Sequence, residues 1–479
     1  MDLTYDQPIE RLTVDRYLIT TLAEYQTSFW REVGAQMRSE GHDVYFLSFD
    51  SRSVDLLADY DLPCFDATAS QQKNKLGERD PLVICEQFDI REPLHWLTHE
   101  KYAFGVRDSE ALLTKLAGVL VATDEVLEQL TDGGEVKLVQ ELGGFLSVLG
   151  SHFAAKARGL ESWFIEPSFF RSRLLFIEGS IAALQHGGTE RAPVSSEVKD
   201  YLDNTIDKNL IVVPEKDRHQ YTTAFRKVVT VKNAKRLVEK AFDKYFLRKE
   251  QEFGHIGGHV STHLKMIGAS RKLAKHYSSI NEAAPFVYYP LHVPGDVALT
   301  LRSPEYLDQI ALVDFLCRNV PMGFKVAVKE HPAMIGAIGT EQIFRLTRRY
   351  DNFALIPPAT NNFDVLRKAS AVVTVNSKSG AEAGLLGKEV LVLGDAFYRD
   401  APFAQSVESL SDLRGMLAKT IAKGGKADAV QETSEYFAAL WEKTWPGELY
   451  VESGSNPVVV ARSLVAALQN GPLRASRAA

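Results

Sequence analysis

The chain has 479 residues, and at roughly 100 to 200 residues per domain this length implies two domains or more. Hydrophobic residues make up 45% of the chain and charged residues 24%, which is ordinary globular composition and excludes a disordered or collagen-like protein. The formal net charge of −7 gives no general attraction to nucleic acid, so nucleic acid is not an expected partner.

Cysteine usage and the N-terminus indicate the compartment. Cys64, Cys85 and Cys317 are far apart, which favours neither a metal site nor a disulfide framework, and we expect a reducing cytoplasm. The first residues are acidic and lack the basic start and apolar core of a signal peptide. No window reaches the ~18 uninterrupted apolar residues of a membrane span. The sequence therefore predicts a protein that is neither secreted by that route nor integral to a membrane.

The N-terminal part, residues 1–195, opens with a β-α-β pattern. Its elements are a strand, a helix and a strand at Tyr17–Leu22, Tyr25–Glu40 and Val44–Phe49. Further short apolar runs, separated by helical patterns, lie at Pro81–Cys85, Ala117–Thr123 and Trp163–Glu166. Such alternation is typical of an α/β layer with a parallel sheet, so a Rossmann-like domain is predicted.

Residues 196–282 change to a helical pattern with a basic part. Between Arg226 and His276 there are 13 Lys or Arg against 4 Asp or Glu. This balance fits a surface that contacts an anionic membrane or glycan, and it also fits the solvated face of amphipathic helices. Both interpretations stay open.

Three histidines in the same segment have the spacing of metal ligands. His255, His259 and His263 would share one face of a helix. However, Gly257 and Gly258 would weaken that helix by about 1 kcal/mol each relative to Ala. No neighbouring Cys or paired carboxylate completes a ligand set, so no metal site is predicted.

Residues 283–430 return to strand and helix alternation. The predicted strands are Phe286–Leu291, Lys325–Lys329, Phe353–Ile356, Ala371–Val375 and Glu389–Leu393, and the predicted helices are Tyr306–Arg318, Thr340–Arg349, Phe363–Ala369 and one that opens near Ala381. This is a second Rossmann-like domain, followed by C-terminal helices and a tail over residues 431–479. Two such domains often bind a nucleotide in the cleft between them, at the carboxyl ends of the strands.

The strand Lys325–Lys329 ends in a motif suited to phosphate. Pro332 keeps His331 extended and then turns the chain, so the strand end is predicted to project side chains into the cleft. There His331 can donate a hydrogen bond to a phosphate, and Lys329 adds positive charge. The alternative is a strand-end histidine that bonds a local carbonyl.

A second strand ends in a loop rich in hydroxyl groups. Ser377, Ser379 and Gly380 precede a helix that carries Glu382 in its first turn. Hydroxyls and main-chain N–H groups at a helix N-terminus form an anion site. The same residues predict a capping box, with Ser379 as the cap and Glu382 closing it.

The segment Trp163–Gly179 holds ionisable groups beside apolar runs. Glu166 and Glu178 follow such runs, with Arg171 between them. Carboxylates so placed can have shifted pKa values and can act as acid, base or nucleophile. Glu178 is predicted to project from a strand end into the cleft, opposite the His331 loop. A structural ion pair between a glutamate and an arginine is the alternative.

Together these motifs resemble the bacterial capsule polysaccharide biosynthesis family, which includes β-Kdo transferases. The resemblance spans about Leu142 to Tyr398 and rests on Glu166, Arg171 and Glu178, on Tyr289-Pro290-Leu291-His292 with Asp296, on Lys329-Glu330-His331-Pro332, on Ser377-Lys378-Ser379-Gly380-Ala381-Glu382, and on Gly387-Lys388 through Leu393-Gly394. It implies a GT-B fold, two Rossmann-like domains facing across a cleft with a helical insertion between them.

By the same resemblance, the protein is a glycosyltransferase that uses a CMP-activated ulosonic acid such as CMP-Kdo. Glu166 and Arg171 match the first and last residues of the family's Glu-x-Gly-aromatic-x-Arg motif, and Glu178 is similar to the later acid that is the candidate nucleophile of retaining members. The nucleotide would be held by Lys329, His331, Pro332, Ser377, Ser379, Gly380 and Glu382. Pro167-Ser168 departs from the first motif, and His292 stands where the family more commonly has Gln.

The resemblance also suggests partners and a location. The acceptor would be a glycan or glycolipid, no cofactor beyond the donor is expected, and the enzyme would be cytoplasmic, with peripheral contact to the inner membrane or a capsule assembly complex. Two other functions stay open, a UDP-sugar 2-epimerase with a similar Ser-Gly-x-Glu loop and a non-catalytic subunit of a capsule complex.

Overall fold

The structure is a computed structural model and describes residues 16–184, 190–210, 249–253, 268–331, 334–424 and 430–470. Most of the predicted basic segment lies outside the described residues, as do Pro332 and the three histidines His255, His259 and His263. Within those ranges every helix is too short or too polar to cross a membrane.

The N-terminal part forms a layered α/β unit. Its elements are β1 (Arg16–Thr21), α1 (Glu24–Ser39), β2 (Asp43–Ser48), α2 (Ser51–Ala58), β3 (Cys64–Asp66), α3 (Ala69–Leu76), α4 (Pro81–Gln87), α5 (Pro93–Trp96), α6 (Thr98–Phe104), α7 (Ser109–Thr131), β4 (Val136–Glu141), α8 (Leu146–Ala157), β5 (Ser162–Pro167), β6 (Arg173–Glu178) and α9 (Ser196–Asp207). Strands β1 to β5 are parallel, and β6 returns antiparallel to β5.

The C-terminal part repeats the architecture with a parallel sheet. Its elements are α10 (Ile280–Ala283), β7 (Phe286–Pro290), α11 (Val297–Thr300), α12 (Gln309–Asn319), β8 (Lys325–Lys329), α13 (Thr340–Arg349), β9 (Phe353–Ile356), α14 (Asn362–Lys368), β10 (Ala371–Thr374), α15 (Lys378–Leu385), β11 (Val390–Val392), β12 (Ala404–Ser406), α16 (Leu410–Ala422), α17 (Val430–Glu442), β13 (Trp445–Pro446) and α18 (Asn456–Gln469). The strand order is β12-β11-β10-β7-β8-β9.

The end of the chain crosses back to the N-terminal sheet. Strand β13 pairs antiparallel with β6, which extends that sheet to the order β13-β6-β5-β4-β1-β2-β3. Helix α18 then packs against α1 and buries Val460 and Leu464 in the N-terminal core. The two halves are thus joined by more than one crossing of the chain.

A loop of the N-terminal half is inserted into the core of the C-terminal half. Phe169 and Phe170, directly after β5, are 3% and 1% exposed. Phe169 stacks on Phe437, with ring centroids 5.3 Å apart, and Phe170 lies edge-on to Trp441 at 4.9 Å. Burying a Phe side chain contributes roughly 1.5–3 kcal/mol. These contacts anchor the carboxyl end of β5 to the C-terminal half.

Two of the apolar runs predicted to be strands are helical. Pro81–Cys85 belongs to α4, where the Asp80 side chain accepts a hydrogen bond from the Leu82 N–H at 2.8 Å and Pro81 occupies the first helical turn. Asp followed by Pro is a helix-start signal, and here it decides the structure. Ala117–Thr123 lies within α7, which is buried on several sides against α3, α4 and α8 and so lacks amphipathic periodicity.

The predicted two-domain architecture is confirmed. Both sheets are flanked by helices, and the carboxyl ends of β5, β7, β8 and β10 lie around one cleft. This arrangement is GT-B-like.

Candidate functional site

A cavity of about 360 Å³ lies between the two halves. It is lined by residues that follow β5 on one side and by residues that follow β7, β8, β10 and β11 on the other. Because parallel strands bring their carboxyl ends to one edge of a sheet, loops distant in sequence meet here. We call the two sides the N-terminal wall and the C-terminal wall.

On the C-terminal wall, the end of β8 presents Lys329 and His331. The Lys329 ammonium donates to the Thr360 carbonyl at 3.1 Å. Burial lowers the pKa of Lys329 to about 8, against the opposing effect of Glu382. Burial, with a smaller contribution from Lys329, lowers the pKa of His331 to about 4, so its imidazole is neutral at physiological pH. Both side chains line the cavity, as predicted for their position at the strand end.

Glu330, between them, is almost completely buried. One carboxyl oxygen accepts from the Gly336 N–H at 2.8 Å, and the other has no hydrogen-bond partner among the described residues. Burial raises the pKa of Glu330 to about 7. Its bond to Gly336 ties the strand end to the loop that follows it.

The loop after β10 forms the N-terminus of α15. Ser377 is the capping residue, and its hydroxyl accepts from the Ser379 N–H at 3.2 Å. The predicted capping box, with Ser379 as the cap, is therefore wrong, because the helix begins two residues earlier. A Cβ atom on Gly380 would lie 2.3 Å from the Tyr398 hydroxyl, so glycine permits this close packing.

Ser379 and Glu382 instead join a buried polar network. The Asn362 side-chain amide donates to the Ser379 hydroxyl at 3.0 Å and also to the Glu382 carboxylate. The Tyr288 hydroxyl donates to the Asn362 amide oxygen at 2.9 Å. Ser379 and Glu382 both line the cavity. The network holds the first turn of α15 against β7 and α14.

On the N-terminal wall, Glu166 forms an ion pair that sequence reasoning did not predict. The Arg302 guanidinium donates to both carboxylate oxygens, at 3.2 and 3.3 Å. The pair is largely buried, with 10% of the Arg302 side chain and 20% of the Glu166 side chain exposed. Glu166 thus lines the cavity as predicted, but its partner comes from the other half of the protein and is not Arg171.

Lys378 makes a second side-chain contact between the C-terminal wall and the N-terminal wall. Its ammonium donates to the main-chain carbonyls of Pro167 and Ser168, at 3.4 and 3.0 Å. Burial lowers the pKa of Lys378, although the carboxylates of Glu166 and Asp296 oppose this shift. Asp296 faces the cavity, and its carboxylate accepts a hydrogen bond from the Ala298 N–H at 2.8 Å. Desolvation by the surrounding protein raises the pKa of its carboxyl group.

Arg171 lies away from the main cavity. Its main-chain N–H donates to the Tyr201 hydroxyl at 2.7 Å, and its guanidinium lies 5.2 Å from the centre of the Tyr201 ring. The guanidinium also bonds the Thr205 hydroxyl at 3.4 Å. The structure therefore places Arg171 against α9, beside a smaller pocket behind the loop.

The predicted position of Glu178 is wrong. Glu178 is the last residue of β6, and β6 is antiparallel to β5, so Glu178 pairs with Trp163 near the start of β5. Leu175 lines the cavity, and Glu178 lies three residues further along the strand, about 10 Å away at roughly 3.3 Å per residue. The error arose because a strand end was assigned to the cleft without knowing the strand direction.

Some cavity residues received no site role from the sequence, for identifiable reasons. Arg302 follows the short helix α11, and no strand or motif in the sequence marks its position. Asp296 and Lys378 gave a usable signal, since each is a charged residue in a loop that follows an apolar strand. His292 follows β7 in the same way, and burial lowers its pKa to about 3.

The fold and cavity together define a two-domain GT-B-like protein with an interdomain site. The chain belongs to the capsule polysaccharide biosynthesis family, because the family described as "Capsule polysaccharide biosynthesis protein" matches residues 148–405, more than half of its length. The family resemblance read from the sequence is thereby confirmed.

Individual relatives are more distant. Protein FixF of Sinorhizobium fredii is 29% identical over 131 residues, which cover 27% of this chain and 31% of FixF. The β-Kdo 2,7 transferase of Thermosulfurimonas dismutans KpsC is 12% identical over 94% of this chain and 99% of its own, with a TM-score of 0.37. The β-Kdo 2,4 transferase of the same protein is 15% identical, covering 64% and 79%, with a TM-score of 0.35.

Proposed function

We propose that the protein is a glycosyltransferase of capsule or surface polysaccharide biosynthesis. It transfers Kdo or a related ulosonic acid from a CMP donor to a glycan or glycolipid acceptor. The observation that carries the proposal is one cavity in which Lys329, His331 and the N-terminus of α15 oppose the carboxylate of Glu166. A nucleotide sugar needs both sets of groups, cations and N–H donors for its phosphate and a carboxylate near its reacting sugar.

The phosphate of CMP binds to the C-terminal wall in this proposal. The N-terminus of α15 offers main-chain N–H groups and the positive end of the helix dipole. With its pKa lowered to about 8, Lys329 is still mostly protonated at pH 7 and supplies charge. Neutral His331 donates a hydrogen bond rather than charge. These groups would stabilise the negative charge that develops on CMP as it departs.

The reacting carboxylate is Glu166 or Asp296. In an inverting reaction one of them removes the proton of the acceptor hydroxyl while that oxygen attacks the anomeric carbon and CMP leaves with the bonding electrons. In a retaining reaction one of them attacks the anomeric carbon as CMP leaves with the bonding electrons, and the acceptor hydroxyl then displaces this carboxylate while giving its proton to the other one. Desolvation raises the pKa of the Asp296 carboxyl group, which would make its carboxylate a stronger base than an ordinary aspartate. The anomeric configuration of the product, read by NMR, separates the two reactions.

The location and partners follow the same proposal. We place the enzyme in the cytoplasm, at the inner face of the membrane where lipid-linked acceptors are available. The basic residues of segment 196–282 would provide the contact with anionic lipid, and the segment's boundaries stay a prediction.

The test is a nucleotide screen followed by a transfer assay. The melting temperature of the protein is measured with CMP, UDP and GDP, since a ligand that binds the folded state raises it. Stabilisation by CMP, together with transfer from CMP-Kdo to a Kdo-terminated glycolipid, supports the proposal. Stabilisation by UDP alone points to the 2-epimerase alternative, and no effect of any nucleotide points to a non-catalytic subunit.

A further inference from the structure

The Arg302 guanidinium is oriented to bind a carboxylate group in the cavity. Its two terminal nitrogens each donate to a different oxygen of Glu166, at 3.2 and 3.3 Å. A guanidinium and a carboxylate joined by two parallel bonds form a planar pair that fixes orientation as well as distance. Because both side chains line the cavity, the carboxylate plane of Glu166 marks a position that a ligand carboxylate can occupy.

The rear of the guanidinium is anchored by the other half of the protein. The Arg302 Nε donates to the Ile181 carbonyl at 2.8 Å, and one terminal nitrogen donates to the Ala182 carbonyl at 3.3 Å. The Ala183 N–H in turn donates to the Asp395 carboxylate at 2.7 Å, which ties the carbonyl-bearing segment to the C-terminal half. The guanidinium is therefore held from behind while its outer edge receives a carboxylate.

We propose that Arg302 binds the carboxylate of the donor sugar, which takes the place of Glu166 on the guanidinium. This inference rests on the proposed function, in which the donor is an ulosonic acid. In such sugars the carboxylate is attached directly to the anomeric carbon. When Arg302 binds the carboxylate, the reacting carbon is therefore only one bond from the bound group. The same exchange detaches Glu166 beside that carbon. Binding of the donor carboxylate to Arg302 and release of the Glu166 carboxylate beside the anomeric carbon then occur together.

The charges around the pair fit such an exchange. One carboxylate replaces another on Arg302, so the guanidinium stays paired throughout. Glu166 remains near the Lys378 ammonium, with which it already interacts electrostatically. A donor with a neutral sugar has no group to displace Glu166, which then stays paired with Arg302. Arg302 would thus determine specificity for acidic sugars.

Titration calorimetry with two probes, CMP and CMP-Kdo, tests the inference. Arg302→Gln removes the charge and the paired donors, and Arg302→Lys keeps the charge alone. We expect Arg302→Gln to weaken CMP-Kdo binding by about tenfold or more while CMP binding changes by less than about twofold. Arg302→Lys should be intermediate. Equal weakening of both probes, or of neither, in folded variants would overturn the carboxylate role.

A second variant tests the displacement itself and does not alter Arg302. Glu166→Gln removes the negative charge that competes for the Arg302 guanidinium, so CMP-Kdo should bind several-fold more tightly. The affinity for CMP should not change. Unchanged or weaker CMP-Kdo binding would contradict the exchange. If the parent protein binds neither probe, the proposed function fails. If the parent binds both and Arg302→Gln does not distinguish them, only this inference fails.

Discussion

The two walls of the cavity carry different polar groups. The cations Lys329, Arg302 and Lys378 lie on the C-terminal wall together with the carboxylates of Asp296 and Glu382, whereas the N-terminal wall offers the Glu166 carboxylate and main-chain carbonyls. Arg302 and Lys378 reach across to those oxygens. Lys329 bonds to Thr360 within its own half. The proposed phosphate-binding groups therefore belong to one domain, but the orientation of Glu166 depends on contacts between both.

This difference separates binding from transfer. Changes at Lys329, His331 and the N-terminus of α15 should act mainly on nucleotide affinity, because all three lie at the carboxyl ends of strands in one parallel sheet. Changes at Glu166 should act mainly on transfer. The following variants test that division, and each is compared with a variant that changes the same residue type elsewhere in the chain.

Glu166→Gln should have the largest effect. It keeps size and hydrogen bonding but removes the charge that a base or nucleophile requires, so transfer should fall by about 10²- to 10⁴-fold. The matched control is Glu178→Gln, because Glu178 lies at the opposite edge of the sheet. Transfer and melting temperature are measured on the same preparations. If Glu166→Gln keeps its transfer activity and Glu178→Gln loses it, the catalytic role belongs to Glu178 and not to Glu166.

Lys329→Met should weaken CMP binding and yet stabilise the fold at pH 7. The folded pKa of Lys329 is lowered from 10.5 to about 8, so the unfolded chain binds more protons between these values and stability rises with pH there. Removing the buried charge should therefore raise the unfolding free energy at neutral pH by about 1–3 kcal/mol.

The control for Lys329→Met is Lys325→Met, at the other end of β8. Urea denaturation at pH 7 and at pH 9.5 gives the unfolding free energies of both variants. We expect the gain from Lys329→Met to shrink at the higher pH and the control to show no such trend. A stability loss at pH 7 in Lys329→Met would show that its bond to Thr360 outweighs the burial of its charge.

His331→Ala should weaken CMP binding by about tenfold with little change in stability, since one hydrogen bond to a charged group is lost and the side chain is only partly buried. His95→Ala, on the exposed helix α5, is the control. The ratio of CMP affinities between the parent and His331→Ala should be flat between pH 6 and pH 8, because the pKa of His331 lies at about 4. CMP affinity equal to that of the parent would remove His331 from the phosphate site.

Ser377→Ala should have the smallest effect, a loss of ~1 kcal/mol of unfolding free energy from the missing helix cap. Ser379→Ala is the matched comparison. It loses the bond from Asn362 and not the cap, so it should cost less. Urea denaturation midpoints compare the two, and a larger cost for Ser379→Ala would restore the cap that the sequence predicted.

The sequence predicted the C-terminal half well because strand and helix periods alternate cleanly there. Lys325–Lys329, Thr340–Arg349 and Phe353–Ile356 are found with the predicted bounds. The N-terminal half was harder. In α7, burial on several sides removes the helical period, and a run such as Ala117–Thr123 then has the pattern of a buried strand.

Site prediction failed where it needed three-dimensional information. The predicted nucleotide-binding residues reach the cavity because they lie at or after the carboxyl ends of strands in one parallel sheet. They are Lys329, His331, Ser377, Ser379 and Glu382. The direction of β6 is set by a tight return after β5, which no local pattern revealed. The contacts of Arg302 join distant segments of the chain, so they could be identified only in the folded protein.

The most direct test of the account is a crystal structure of the protein with CMP. We predict that the phosphate lies at the N-terminus of α15, within hydrogen-bond distance of Ser379, His331 and the Lys329 ammonium, and that Glu166 remains on Arg302 because CMP has no sugar carboxylate. CMP bound outside the interdomain cavity, or bound with its phosphate on Arg302, would contradict the division of roles between the two walls.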